Sequence, residues 1–205
     1  KIYNFSDPAG YRMNHLRRLF DLLGIRQAFF VGSSAGGGTI LRASVMEPLP
    51  FQIRKMVTIC GNASVFKSNS QADLDNYVPS LENMKKIVSL LYHDSKWQTE
   101  ENIRERYDSS VIPGAWEALS AARLRSPVHQ TRSTTDTFVK KLSQLRIPLL
   151  LMSCQHDPLN QKDWDVQFQK IVPDSKVHRF MNSSHEPQIE ETEEFNRVLV
   201  EFLLK

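Results

Sequence analysis

The sequence predicts an α/β fold, in which a mostly parallel sheet carries helices on both faces and an inserted helical lid. Strand, helix and strand signals follow one another with short connections over residues 28–60, which is typical of a parallel sheet. Between about residues 63 and 140 the strand signals stop and helical patterns replace them. The chain is therefore expected to divide into a core part with a reactive turn (1–62), a helical lid (63–140) and a second core part (141–205).

The first core part is expected to contain two helices and two strands. Apolar residues at helical spacing predict a helix from about residue 11 to residue 23, which Gly24 ends. The aromatic and β-branched run 28–31 predicts a strand. The helix after it is expected to end before Pro48, because the residue before a proline avoids helical geometry. A second buried strand is expected over 53–60.

Three helices are predicted in the lid. Ser80 is the expected N-cap of the first, whose apolar face spans 81–91. Thr99 precedes the second, which is expected to run to Tyr107, and the third begins near Pro113. Helices inserted between two sheet strands can form a lid over an active site or a helical layer without a gating role, and both interpretations remain open.

The second core part returns to alternating strands and helices. An apolar run over 147–153 predicts a buried strand, and 164–171 suits a helix that Pro173 ends. A short strand is expected over 176–180, followed by a terminal amphipathic helix whose apolar residues extend to Leu203.

Length and composition limit the classes of protein. The 205 residues suffice for one large domain or a domain with an insert, and 40% apolar with 24% charged residues is ordinary for a globular protein. The net charge is only +3 with scattered Lys and Arg, so no nucleic-acid or anionic-membrane face is expected. No apolar run suits a membrane span, and no signal peptide is recognisable. Cys60 and Cys154 are expected to be buried thiols, as in a reducing cytoplasm.

A Gly-x-Ser-x-Gly motif lies between the first predicted strand and the next helix, and it predicts that Ser34 is a nucleophile. Gly32 and Gly36 are expected to supply room in a tight turn. The backbone N–H of Ala35, at the start of the helix, is expected to point at a developing oxyanion. The alternative is a closely packed glycine-rich turn that could hold a phosphate, although Gly-Lys-Ser/Thr is absent.

Ser34, Asp157 and His185 each follow a predicted strand, in the chain order nucleophile, acid, histidine that is found in α/β-hydrolases. His185 would remove the proton of the serine hydroxyl and later protonate the leaving group. Asp157 would fix the imidazole tautomer and stabilise the imidazolium. The other five histidines lack such a context, and no pair of them has metal-ligand spacing, so no metal site is expected.

From about residue 11 onward the sequence resembles the meta-cleavage product hydrolases, the carbon–carbon bond hydrolases of aromatic hydrocarbon catabolism within the α/β-hydrolase superfamily. The segments that carry this resemblance are 31–41, 77–86, 99–107, Asp157, 185–190 and 194–196. The resemblance implies a serine hydrolase that cleaves a vinylogous 1,5-diketone, a small-molecule substrate, through a Ser-His-Asp triad. It implies no metal or organic cofactor, and it suggests a homo-oligomer.

The resemblance also assigns roles to single residues. Arg106 falls where a lid arginine of the family binds the polar head of the dienoate, although a solvated helix residue is an equal interpretation. Ser33 stands in place of a substrate-contacting asparagine, and Ala35 in place of a methionine. The family's first strands, with the loop that gives a second oxyanion donor, should precede Lys1, so a truncated chain is expected. Two other functions therefore stay open: a carboxylesterase, and a non-catalytic binding module.

Overall fold

A computed structural model describes residues 8–49, 51–66, 68–120 and 135–205. Four strands in these residues form one sheet in the order β1-β2-β3-β4, and all three neighbouring pairs are parallel. The strands are β1 (Gln27–Ser33), β2 (Gln52–Ile59), β3 (Leu149–Cys154) and β4 (Lys176–Phe180). The α/β class and the parallel sheet predicted from the sequence are confirmed.

Ten α-helices and one short 3₁₀ helix (Ser95–Trp97) accompany the strands in the described part of the chain. In chain order the α-helices are α1 (Pro8–Leu22), α2 (Ala35–Ala43), α3 (Gln71–Asp75), α4 (Leu81–Leu91), α5 (Glu100–Ser110), α6 (Ala115–Ser120), α7 (Thr135–Leu142), α8 (Trp164–Ile171), α9 (Pro187–Glu190) and α10 (Thr192–Leu204).

Local sequence signals set several of these boundaries. The Ser80 hydroxyl accepts a hydrogen bond from the N–H of Asn83 at 3.1 Å, and this confirms the predicted cap of α4. The Thr99 hydroxyl caps α5 in the same way, accepting from Asn102 at 3.2 Å. Helix α5 runs to Ser110, beyond its expected end. The part of the third predicted lid helix beyond residue 120 lies outside the described residues.

Two hydrophobic clusters lie on opposite faces of the sheet. Alternate residues of β3 point to opposite faces, so Leu149 and Leu151 belong to one cluster and Leu150 and Met152 to the other. Helices α1, α2, α7 and α8 contribute to the first cluster and α10 to the second. This two-sided burial explains why β3 is a continuous apolar run.

A third cluster forms between the helices that follow β2. Met84 and Val88 of α4 pack with Ile103 of α5, and Leu159, which comes after β3, belongs to the same cluster. Phe138 of α7 packs with the sheet cluster, although it falls inside the range predicted for the lid. The division of the chain at residues 62 and 140 stays a prediction.

Strand β1 lies at one edge of the sheet, where it pairs with β2 and with no other described strand. Its side chains Phe29 and Val31 are exposed, as expected for a strand without a second neighbour. No helix in the described residues has both the length and the apolar character needed to cross a bilayer.

Candidate active site

Ser34 lies in a strained turn between β1 and α2. Its backbone has φ 50° and ψ −114°, and such a positive φ is rare for residues other than glycine. Two backbone bonds hold it there: the Ser34 N–H donates to the carbonyl of Ile59 at 2.7 Å, and the Ser34 carbonyl accepts from the N–H of Gly38 at 3.1 Å. Strain at this serine is what the Gly-x-Ser-x-Gly motif predicts after a strand.

Glycines allow the backbone to pass close to Ser34. A Cβ at Gly32 would lie 2.5 Å from the carbonyl carbon of Gly36, and a Cβ at Gly61 would lie 2.4 Å from the Ser34 carbonyl oxygen. At Gly36 a Cβ would meet nothing within 4 Å. The expected need for a small residue is therefore confirmed at Gly32 and wrong at Gly36, because the Gly36 position faces open space.

Asp157 and His185 are in direct contact at the carboxyl ends of β3 and β4. The His185 Nδ1 lies 3.0 Å from Asp157 Oδ2, and the two side chains are only 5% and 1% exposed. Asp157 accepts two further hydrogen bonds: Oδ1 accepts from the Leu159 N–H at 2.9 Å, and Oδ2 accepts from Asn160 Nδ2 at 2.6 Å. Adjacent parallel strands bring these distant residues together, as the sequence predicts.

The electrostatic surroundings keep Asp157 ionised. Burial acts to raise the pKa of Asp157, since it disfavours the charged form. The hydrogen bonds and charge of His185, with the donors of Asn160 and Leu159, outweigh burial and hold the pKa below its ordinary value. An ionised carboxylate in this position can orient the imidazole and stabilise its protonated form.

Ser34 and His185 line the same cavity, whose volume is about 490 Å³. The buried Nε2 of His185 makes no hydrogen bond to any described residue, so it does not contact the Ser34 hydroxyl directly. Ala35 also lines the cavity, as the first residue of α2. The structure thus joins Asp157 to His185 and brings Ser34 to the same cavity without a Ser34–His185 hydrogen bond.

Ser33 and Arg106, the two predicted substrate-binding residues, do not line this cavity within the described residues. Ser33 is the last residue of β1 and pairs with Ile59. The Arg106 guanidinium donates to the Tyr92 hydroxyl and, through Nε, to Asn102 Oδ1 at 3.2 Å. Its Cζ also lies 5.3 Å from the centre of the Tyr92 ring.

A pair of asparagines extends the polar network behind Asp157. Asn160 Nδ2, besides its bond to Asp157, donates to the Cys60 carbonyl at 2.9 Å, and Asn160 Oδ1 accepts from Asn62 Nδ2 at 2.6 Å. Both asparagines line the cavity. The sequence signal for Asn160 was its position three residues after Asp157; Asn62 had no local signal.

Arg42, on the last turn of α2, is a cationic residue of the cavity wall that the sequence did not single out. Its Nη2 donates to the Ala63 carbonyl at 2.8 Å, and its Cζ lies 4.9 Å from the ring centre of Phe138. Burial lowers the pKa of the Arg42 guanidinium from its ordinary value. Arg12 of α1 and the carboxylate of Asp75 line the cavity as well.

The loop that carries His185 is attached to the end of α4. Glu190 accepts from the backbone N–H groups of His93 and Asp94 at 2.8 Å, and from that of Ser184 at 2.7 Å. The His185 N–H itself donates to the Leu91 carbonyl at 3.0 Å. Contacts with the end of α4 and the segment after it therefore hold the histidine loop in place.

Comparison with known proteins identifies relatives at low identity. The chain is 26% identical to a 2-hydroxymuconate semialdehyde hydrolase of Pseudomonas putida over 93% of this chain and 67% of that protein. It is 25% identical to a 2-hydroxy-6-oxononadienedioate/2-hydroxy-6-oxononatrienedioate hydrolase of the same species, over 97% of this chain and 72% of that protein. No family model matches the chain.

Solved structures of other proteins show the same fold at low sequence identity. A meta-cleavage product hydrolase from Pseudomonas fluorescens superposes with a TM-score of 0.82 at 24% identity, covering 99% of this chain and 73% of that one. A 2-hydroxy-6-oxo-6-phenylhexa-2,4-dienoate hydrolase from Rhodococcus also gives 0.82, at 16% identity, covering 100% of this chain and 74% of that one. Nearly the whole chain therefore corresponds to about two thirds to three quarters of these proteins.

Proposed function

We propose that the chain, which has the α/β-hydrolase fold and resembles the meta-cleavage product hydrolases, hydrolyses a carbon–carbon bond in a vinylogous 1,5-diketone. The observation that carries the proposal is the arrangement of three residues. Ser34 and His185 line one cavity, and Asp157 lies 3.0 Å from the His185 ring. The names of the relatives, which act on 2-hydroxymuconate semialdehyde and 2-hydroxy-6-oxo acids, suggest 2-hydroxy-6-oxodienoates as the substrate class.

The first step is activation of Ser34. His185 Nε2 is available to accept the hydroxyl proton, because Nδ1 is the nitrogen next to Asp157. Asp157 stabilises the imidazolium that forms. Substrate entry into the cavity would bring the hydroxyl within hydrogen-bond reach of Nε2, since catalytic hydrogen bonds commonly shorten in the substrate complex.

Bond cleavage follows from attack on the ketone form of the substrate. Ser34 Oγ bonds to the carbonyl carbon, and the oxyanion that results is stabilised by the Ala35 N–H. When the carbonyl returns, the adjacent carbon–carbon bond breaks and its electron pair moves into the conjugated chain. His185 returns the proton, the dienol leaves, and water hydrolyses the acyl group from Ser34.

A ring-fission dienone is the decisive substrate, because cleavage bleaches its colour. The parent chain should bleach the dienone and Ser34→Ala should not, while circular dichroism shows that both are folded. Turnover of a p-nitrophenyl ester with no bleaching would instead identify a carboxylesterase. Absence of both reactions, together with no labelling of Ser34 by a fluorophosphonate probe, would leave only the binding module.

We also propose that a cavity arginine recognises the substrate carboxylate. Arg42 lies in the cavity wall and has no carboxylate partner among the described residues, whereas Arg106 is engaged by Tyr92 and Asn102. Arg106 remains the alternative that the resemblance implies. A half-buried guanidinium can bind a carboxylate at two points.

Matched variants separate the two arginines. Arg42→Ala should raise KM for a dienoate by about 10-fold or more, since a hydrogen bond to a charged group contributes about 1.5–3 kcal/mol. Arg106→Ala should have a smaller effect, and neither should change KM for a neutral ester. A rise in KM for the dienoate only in Arg106→Ala would return the role to the predicted lid arginine. Equal rises in KM for the dienoate and for the neutral ester would exclude both arginines from recognition of the carboxylate.

We infer a reducing, cytoplasmic location, because the two cysteines are free thiols. We also propose a homo-oligomer, which rests on the family resemblance.

A further inference from the structure

Cys60 lies beside the Asp157–His185 pair, and the proposed hydrolysis does not use it. It follows the last residue of β2, and its backbone has φ 50°, a strained conformation for a residue other than glycine. The side chain is buried, yet the residue lines the same cavity as Ser34. Its Sγ, a ring nitrogen of His185 and a carboxylate oxygen of Asp157 all lie within 4.8 Å of one another.

These three groups are a ligand set for a thiophilic divalent cation. Zinc binds thiolate sulfur, imidazole nitrogen and carboxylate oxygen in tetrahedral geometry, where neighbouring ligand atoms are about 3.3–3.8 Å apart. The three ligand atoms are at most 4.8 Å apart, so each would have to move by about 1 Å or less toward a common centre to bind one ion. Hard cations such as Mg²⁺ are disfavoured, because a thiolate is a soft ligand.

Burial and charge further support a cation at this place. The His185 side chain is 5% exposed, and its Nδ1 is the ring nitrogen next to the Asp157 carboxylate. Among the residues that the structure describes, the hydrogen-bond partners of Asp157 are the His185 ring, the Asn160 amide and the Leu159 N–H, none of which is a Lys or Arg. The carboxylate is thus buried without a permanent cation, and a divalent ion would supply that charge.

We propose that Cys60, Asp157 and His185 bind a thiophilic divalent cation such as Zn²⁺, with its fourth position open to the cavity. On binding, the Cys60 thiol gives its proton to solvent and the His185 proton moves from Nδ1 to Nε2, so the thiolate and the carboxylate balance the two charges of the ion. An ion bound to His185 prevents it from accepting the Ser34 proton. Binding is therefore inhibitory, and this inhibition, unlike the binding itself, rests on the proposed function.

Cys154 provides a matched control for Cys60. The two sulfur atoms are 3.5 Å apart and both residues are buried, but Cys154 is outside the three-residue cluster. Serine at either position keeps a polar side chain of similar shape, so Cys60→Ser and Cys154→Ser differ mainly in which sulfur is removed.

The experiment measures binding without reference to activity. Co²⁺ is added to the full chain to detect thiolate-to-metal absorption, and Zn²⁺ affinity is then measured by competition with a chromophoric chelator. The parent and Cys154→Ser should bind one ion each. Mutation of a residue that only hydrogen-bonds to a metal ligand typically lowers metal affinity by about 10- to 100-fold. Cys60→Ser removes a ligand itself, so its Zn²⁺ affinity should fall by more than that. It should also lose the thiolate absorption.

Equal Zn²⁺ affinity in the parent and Cys60→Ser would overturn the site, and so would a loss in Cys154→Ser as large as that in Cys60→Ser. Cys60→Ala and thermal melting of each variant guard against a folding defect. Failure of the proposed function gives a different result. A chain that binds Zn²⁺ through Cys60 but never bleaches a dienone would support the metal site and contradict the proposed function. A chain that bleaches the dienone but binds no Zn²⁺ would support the proposed function and overturn the metal site.

Discussion

At the scale of single residues, strained backbone conformations position Ser34 and Cys60 at the cavity. Ser34 and Cys60 both have φ 50°, and each directly follows a strand of the sheet. Such a conformation costs about 1–3 kcal/mol per residue and persists only where surrounding packing fixes it. Here the fixing contacts are backbone ones: Ser34 bonds to Ile59 and the Cys60 N–H to Met152 at 2.8 Å. The neighbouring strand therefore holds each strained residue in place.

Two glycines that look alike in the motif should respond differently to alanine. Gly32→Ala should lower the free energy of unfolding by about 1–3 kcal/mol or more, because the new Cβ would meet backbone atoms that cannot easily move. Gly36→Ala should be neutral or stabilise by up to about 1 kcal/mol, since it lies in α2 and faces open space. Urea unfolding measures both, and equal destabilisation would contradict the geometry of the turn.

At the scale of elements, α9 joins the histidine loop to the end of α4. Its residue Glu190 accepts three backbone hydrogen bonds, two from the segment after α4 and one from Ser184. A carboxylate shared in this way couples the position of the inserted helices to that of His185. The end of α4 is thus part of the scaffold of the site.

Glu190→Ala should loosen this connection. Removing a charged acceptor from three backbone donors is expected to destabilise the fold by about 2–4 kcal/mol. Amide hydrogen exchange should accelerate at His93, Asp94 and Ser184, which report the three bonds directly. Glu193→Ala, at an exposed position of the next helix, is the control and should leave these amides protected. Unchanged exchange in Glu190→Ala would show that other contacts hold the loop.

At the scale of the whole molecule, a buried ion pair joins α8 to β4. Asp165 is 1% exposed, and Arg179 donates to it from Nε at 2.9 Å and from Nη2 at 2.5 Å. The Ser153 hydroxyl of β3 donates to the same carboxylate. Burial acts to raise the pKa of Asp165, but the bonds from Arg179 and Ser153 outweigh it and place the pKa below the ordinary value.

This pair should make the fold sensitive to acid. The Asp165 pKa is lower in the folded chain than in the unfolded chain. The contribution of this group to the free energy of unfolding is therefore complete above the unfolded pKa of about 3.9, and it is lost as pH falls through the folded pKa. Asp165→Asn should destabilise by about 3–5 kcal/mol at pH 7, since Arg179 loses its buried partner and keeps only the more exposed Asp163, and should flatten this acid dependence. Asp163→Asn removes a more exposed partner of Arg179 and should cost about 1 kcal/mol or less. Urea unfolding between pH 3 and 7 tests both, and an Asp165→Asn curve parallel to that of the parent would exclude this origin.

Local patterns were enough to predict much of the fold. The bounds of α8 and β4 match their predictions, and the caps of α4 and α5 are the residues expected. These features depend on periodicity and on hydrogen bonds between residues a few positions apart, which a sequence displays directly. The order of strand ends likewise predicted that Asp157 and His185 would meet.

The sequence by itself therefore determined the α/β class and the three candidate catalytic residues, because each is encoded in a short segment. Only the tertiary structure decided that Arg42 borders the cavity and Arg106 does not, that Asn160 supports Asp157, and that Cys60 lies beside the acid and the histidine. Cys60 and Asn160 are 100 positions apart and are brought together by the pairing of β2 with β3. Contacts of this kind are set by the packing of the whole chain, so no local pattern announces them.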